Sequence, residues 1–364
     1  MKNIKRILAL MLIMATVLSF SGCHKKGEIA VTVGDVEFTS AYYMCALVNA
    51  DSEAKNKVYE GLSDEEKQST DIDYYSKKID DKEYVKWVED TAIENIKNIA
   101  AYKILCKENE IELDEEIASQ ADMYASYYWS SYGYSAYFEP NGVSQSTYTQ
   151  YMKGTYYAER YFEFLYGAEG EKAIAADEVK TKLYDNFIIA DLLQGSYTSE
   201  MTDAQKTELK TKFDGYAEAL KNGTKTFKDV YNEYNNVTEE EETEATDTEE
   251  TEETPKPKDE YASVLGAEGT AYESEHYEAV KAMATGEIKV IELEEAAGLL
   301  LVVKQDIQAD EYYLDTLDMS ARHLIADEEY EKTIKDYVKE LKAEINKYAV
   351  SQFKVKKIKE PEYS

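Results

Sequence analysis

Cysteine, histidine and proline are scarce in this chain: three Cys, three His and four Pro among 364 residues. So few His and Cys leave almost nothing from which to build a metal centre or a Cys/His catalytic pair. A disulfide framework cannot organise a chain of this length on three thiols. Cations are short as well, with 41 Lys and Arg against 74 Asp and Glu and a formal net charge of −33. That balance excludes nucleic acid as a partner, because phosphate binding needs clustered cations. It also sets the chain as a whole against direct adhesion to an anionic membrane surface. No Gly-rich phosphate loop and no internal repeat is present. Enzyme chemistry of the usual kinds is short of parts, and no cofactor or metal is expected.

What is present begins at the N-terminus. Lys2, Lys5 and Arg6 precede an apolar stretch of 14 residues, Ile7 to Phe20, too short for the roughly 20 needed to span a bilayer. Residues 1–22 therefore read as an export signal. They end in Ser21-Gly22 before Cys23, which resembles the lipobox of bacterial lipoproteins, although Phe20 stands where those prefer Leu. The resemblance implies that Cys23 takes a diacylglyceryl thioether and an acyl amide, anchoring the chain on the extracytoplasmic face of a bacterial cell membrane; two or more acyl chains make such anchoring stable. Cys45 and Cys106 lie in apolar helical patterns and read as buried small hydrophobes.

Residues 28–38 alternate apolar and polar around Gly34-Asp35, a short hairpin. A helix capped by Thr39 or Ser40 is expected through Ala50, and a long one over about 81–108 with Val88, Ala92, Ile96, Ile99 and Ala100 on one face. Asp114 and Ser144 read as caps of two more. Between them, Tyr124 to Phe138 holds six Tyr, one Trp and four Ser. Tyr127, Tyr128, Trp129 and Tyr132 are the candidates for a surface that contacts extended polypeptide, the plainer alternative being aromatics packed against neighbouring helices. Further on, Asp177-Glu178 reads as a cap for a helix to Asn186. A strand at 187–193, a helix at about 203–220 and a segment at 227–234 follow. Residues 238–260 carry 12 acids and two Lys, a self-repelling stretch that cannot bury a core. A helix at 276–283, strands at 288–291 and 298–303, a helix at 327–348 and a strand at 353–358 complete the expectation.

Five of these segments, in this order, resemble exported lipid-anchored foldases of the PrsA/SurA type. They are Ile29 to Thr39, Ile99 to Glu116, Ala176 to Asn186, Glu278 to Ile288 with its Thr285-Gly286-Glu287 turn, and Gly298 to Lys304. The resemblance implies an α+β fold. A mostly helical chaperone domain would be built from residues 23–170 and from 310–364, the latter a C-terminal helix and strand. A degenerate parvulin-like α+β domain, 177–306, would be inserted between them and interrupted by 238–260. It implies prolyl isomerase ancestry, with unfolded or folding exported proteins as partners. Parvulins hold a His on the first strand and another on the last. Here those positions fall on Asp191 and Leu300, and the family's central Gly-rich block has no counterpart. Isomerase activity is accordingly expected to be weak or absent, and no catalytic residue is assigned.

Overall fold

The computed structural model describes residues 27–69, 72–237, 257, 259–293 and 298–360. The export signal, Cys23 and most of the acidic segment 238–260 lie outside the described residues. In chain order the main elements are β1 (Ile29–Val33), β2 (Val36–Thr39), α1 (Ser40–Glu60), α2 (Tyr84–Glu108), α3 (Glu115–Ser131), α4 (Tyr134–Phe138) and α5 (Gln145–Tyr166). Then come α6 (Ala176–Asn186), β3 (Phe187–Ser196), α7 (Asp203–Lys221), α8 (Phe227–Asn235), β4 (Ala262–Gly266), α9 (Tyr277–Lys281), β5 (Ile288–Leu293), β6 (Gly298–Lys304), α10 (Glu311–Glu340), β7 (Ala343–Ile345) and α11 (Lys347–Ser351). The fold is α+β. It divides into a first unit that runs to Leu165 and resumes at Glu328, and a second unit, Tyr166–Asp327.

In the first unit, β1 turns at Gly34 into β2 and pairs on its other edge with β7, Val31 facing both Phe38 and Ile345. Thr39 caps α1 by accepting from the Tyr42 N–H. The helix runs ten residues past the expected end at Ala50, because Ala54 and Val58 continue its buried stripe and Asp51 is held inside. Tyr84 donates its hydroxyl to Asp51 Oδ1 at 2.9 Å, and Lys55 lies 2.6 Å from Oδ2. All five apolar residues predicted for the face of α2 are buried. Asp114 caps α3 through the Ile117 N–H at 2.8 Å, and Ser144 Oγ accepts from the Thr147 N–H at the start of α5. Cys45 and Cys106 are both buried and free, and burial raises both thiols above their usual range.

The second unit is built on a four-stranded antiparallel sheet in the order β4-β3-β6-β5. On one face α9 sends Tyr277 and Val280, with Met283 just beyond, onto Ile188, Ala190, Leu300 and Val302. On the other, α7 and α8 cover Leu193, Leu299 and Leu301, while α6 and α10 cover Phe187 and Ile189. Reciprocal capping boxes at Thr202/Gln205 and Thr226/Asp229 fix the starts of α7 and α8. Asp177 and Glu178 are not the cap of α6: Ala175 occupies that place, and the two acids lie in the first turn, where they favour the helix dipole.

Three expectations for the C-terminal region are corrected. The helix expected over 327–348 is α10, which begins at Glu311 and ends at Glu340. Its start signal is Asp310, whose carboxylate accepts from the Tyr312 N–H; Asp327 is an interior residue 2.6 Å from His323. Because Tyr313, Leu317 and Ala321 pack on Val179, Leu183 and Phe187, residues 311–327 belong to the second unit, and the boundary expected at 310 falls at 328. Lastly, 353–358 is no strand. Val355 and Ile358 are the buried residues, three apart, and the chain makes a 3₁₀ turn at Val355–Lys357. The C-terminal strand is β7 instead.

Candidate functional site

The aromatic segment separates into a buried half and an exposed half. Along α3, Ala121, Ala125 and Trp129 recur every four residues and are buried. Two small residues let the helix approach closely, and Trp129, 6% exposed, stacks on Phe138 at 6.2 Å with Tyr148 at 5.7 Å. Trp129 is thus core, a correction to its place among the candidate contact residues. Tyr127 and Tyr132, 51% and 62% exposed, lie on the protein surface, and Tyr128 lies half-buried between them. The rings touch one another: Tyr127 to Tyr132 at 5.4 Å, Tyr128 to Tyr132 at 5.3 Å, and Tyr128 stacked on Tyr134 at 5.8 Å.

Gly133 makes this assembly possible. Its φ of +72° ends α3 in a left-handed turn, which brings Tyr134 back over Tyr128. Met123, Tyr124 and Tyr134 also belong to the exposed set and escaped the sequence reading. The signal that separates them from the core is the four-residue recurrence of Ala121, Ala125 and Trp129, since whatever is off that stripe faces outward. Beside them a cleft of about 390 Å³ is lined by Tyr124, Tyr128, Met152, Thr155, Tyr156 and Glu159. Contacting rings lose little conformational entropy on meeting a partner, and each offers apolar area with a polar tip.

The second unit places the two parvulin-aligned positions apart. Asp191 pairs across the sheet with Val303, and Leu300 pairs with Gln194. Directly opposed residues share a face and neighbours alternate, so Asp191 and Leu300 lie on opposite faces. Leu300 is packed among Tyr277, Val280 and Met283. Asp191 is 2% exposed and receives a hydrogen bond from Gln305 Nε2 at 2.9 Å, while the same nitrogen lies 3.4 Å from Asp259 Oδ2. Burial first, and the neighbouring Asp259 carboxylate second, push the Asp191 carboxyl up to about 7. Among the described residues its Oδ1 has no hydrogen-bond partner, and neither has the buried hydroxyl of Tyr313, which burial and the nearby acids raise to about 12. Asp259 and Gln305 were not singled out from the sequence; only the sheet register and the loop after β6 bring them to Asp191.

Among the described residues no group of three or more His, Cys, Asp or Glu is placed to hold a metal ion, and no helix is long and apolar enough to cross a membrane. Fold and surface together define a two-unit α+β protein that displays an exposed tyrosine cluster and holds the buried Asp191 beside a half-buried Asp259. No family model matches the chain, and no curated protein matches it. Among solved structures it is similar to the foldase protein PrsA from Lactococcus lactis, with a TM-score of 0.36 and 11% sequence identity over 90% of this chain and 99% of that one. A similarity this loose transfers no function.

Proposed function

We propose that this chain is an exported foldase or holdase of the PrsA/SurA type, anchored to the outer face of a bacterial membrane through Cys23 and binding unfolded exported proteins transiently. The exposed tyrosine surface of the first unit carries the reading: Tyr124, Tyr127 and Tyr132 are exposed, and Tyr124 and Tyr128 line a cleft beside them. The excess of acid keeps a client-laden chain soluble. The second unit follows the outline expected of a parvulin-like domain: strand, two helices, strand, short helix and two further strands. Its chemistry is another matter. Prolyl isomerisation crosses a barrier of roughly 20 kcal/mol by holding proline in an apolar pocket and stabilising a twisted amide, and the positions expected to carry a facing polar pair lie on opposite faces of the sheet. The domain is thus a platform that has shed most or all of the catalysis.

The test combines two readings on one preparation of the chain from residue 24 onward, which holds every described element. Binding to several unrelated denatured proteins but not to their folded forms, with X-Pro isomerisation at the uncatalysed rate, is the expected result. Catalysis abolished by substituting residues of the second unit would make the protein a working isomerase. Binding to one folded partner alone would make it a scaffold.

A further inference from the structure

One part of the first unit reverses the sign of the rest of the chain. Between Lys332 and Glu360 there are nine Lys and four acids, in a protein of net charge −33. All nine Lys are exposed. Lys339 pairs with Asp336, but Lys342, Lys347, Lys354 and Lys357 enter no ion pair among the described residues. The same stretch displays apolar side chains: Tyr348 is 63% exposed and Ile345 41%. Ile345 stands where two clefts of about 550 and 520 Å³ meet. Lys335 and Lys339 line the first, with Lys82 and Lys97 across from them, although Asp90, Glu94 and Glu331 share it; Lys86, Lys354 and Lys356 line the second, together with Glu89 and Asp90.

The position of this face within the unit gives the sign change a meaning. Asn346, next to Ile345, donates its backbone N–H to the Ala30 carbonyl at 2.9 Å, and its side-chain amide to Ile29 O and Glu28 Oε1 at 3.1 Å each. The Ile345–Tyr348 stretch therefore lies against the first residues of β1. Cys23 is five residues before Glu28, a span of at most about 18 Å when fully extended. If Cys23 carries the lipid, the start of β1 and the basic face beside it cannot leave the neighbourhood of the headgroups.

We propose that this face docks onto anionic lipid headgroups, with Lys342, Lys347, Lys354 and Lys357 at the phosphates and Tyr348 and Ile345 at the interface. The proposal rests on the anchor reading only for its geometry. Headgroup potential decays over a Debye length of about 8 Å, so the few groups in contact decide the sign of the interaction and the distant acids do not. Tyr among Lys is the composition of the membrane–water boundary. The chain's own acidic segment, 238–260, fits less well, since its only apolar side chain besides two Pro is that of Ala245 and it offers nothing to cover Ile345 and Tyr348.

Sedimentation of the unacylated chain from residue 24 onward with vesicles tests this. Vesicles of phosphatidylcholine with a minority of phosphatidylglycerol should bind it, and phosphatidylcholine alone should not. Binding should weaken with salt, and by about fivefold for each Lys removed in the series Lys342→Gln, Lys347→Gln, Lys354→Gln and Lys357→Gln. Neutralising Lys180, Lys182, Lys221 and Lys289 of the second unit in the same way should change nothing. Absence of binding at low salt, indifference to the four substitutions, or capture of soluble polyglutamate by the same lysines in place of vesicles would each overturn the proposal. The mass of Cys23 in the full chain made in a bacterial host reports acylation separately. An unmodified Cys23 with vesicle binding intact sinks the anchor and spares the face.

Discussion

Tyr127 and Trp129 stand two residues apart and meet opposite fates, because a helix turns by about 100° per residue and α3 has only one side against the core. Replacing Trp129 by Ala should destabilise the first unit by about 3–5 kcal/mol, as emptied aromatic sites do. Replacing exposed Tyr127 or Tyr132 by Ser should shift stability by no more than about 0.5 kcal/mol each. Thermal or denaturant unfolding of the single variants separates the two kinds of residue. The Asp191 site makes a second residue-scale prediction, with an uncommon sign. Its carboxyl is raised from about 4 when unfolded to about 7 when folded. Below pH 4 both states hold the proton and nothing is lost. Between pH 4 and 7 the folded state keeps a proton that the unfolded state releases, so this group's contribution worsens as pH rises, and above 7 the full penalty stands. Asp191→Asn should therefore stabilise the protein at pH 8, by no more than about 4 kcal/mol, and remove that part of the pH dependence. Denaturant midpoints from pH 4 to 8 measure it, and an unchanged slope between pH 4 and 7 would refute the assignment.

At the scale of elements, most helices and strands could be read from the chain, and the misreadings share a cause. The face of α2 was legible because Val88, Ala92, Ile96, Ile99 and Ala100 repeat at helical spacing whatever they pack against. The start of α10 was not. Asp310 and Asp327 are equally good capping residues by type, and only the packing of Tyr313 and Leu317 on α6 decides between them. Likewise Phe353 to Ile358 alternates closely enough to pass for a strand, yet only every third residue is buried. Two contacts hold the sheet and the second unit's entry in ways the sequence does not announce. A Cβ at Gly195 of β3 would come within 2.5 Å of the fully buried Phe213 ring on α7, so Gly195→Ala should cost about 1–3 kcal/mol through overpacking. On α10, buried Arg322 is held by Asp318 at 2.6 Å and donates to the carbonyls of Tyr166 and Ile174 at 2.9 and 3.3 Å. Arg322→Met strands both carbonyls. It should cost about 2–3 kcal/mol and raise amide exchange or proteolysis first in the 166–174 segment.

For the whole molecule, charge is the property most fully legible in the sequence and least informative about where function sits. A net charge of −33 describes the chain as a whole, but it conceals the basic stretch from Lys332 to Glu360, whose place beside β1 appears only once β7 pairs with Val31 and Val33. The candidate contact surface was legible as a composition, six Tyr in fifteen residues, and illegible as a geometry until Gly133 turned the chain. The positions Asp191 and Leu300 were legible only by resemblance, and strand alternation separates them. On the proposed reading, the working part of the chain is the exposed tyrosine surface. The most direct measurement is light scattering of a denatured client diluted into buffer with the chain from residue 24 onward, compared with its Tyr124→Ser/Tyr127→Ser/Tyr132→Ser variant. The account predicts that the parent suppresses aggregation and that the variant, folded to the same stability, loses most of that suppression. Suppression undiminished in the folded variant would contradict it.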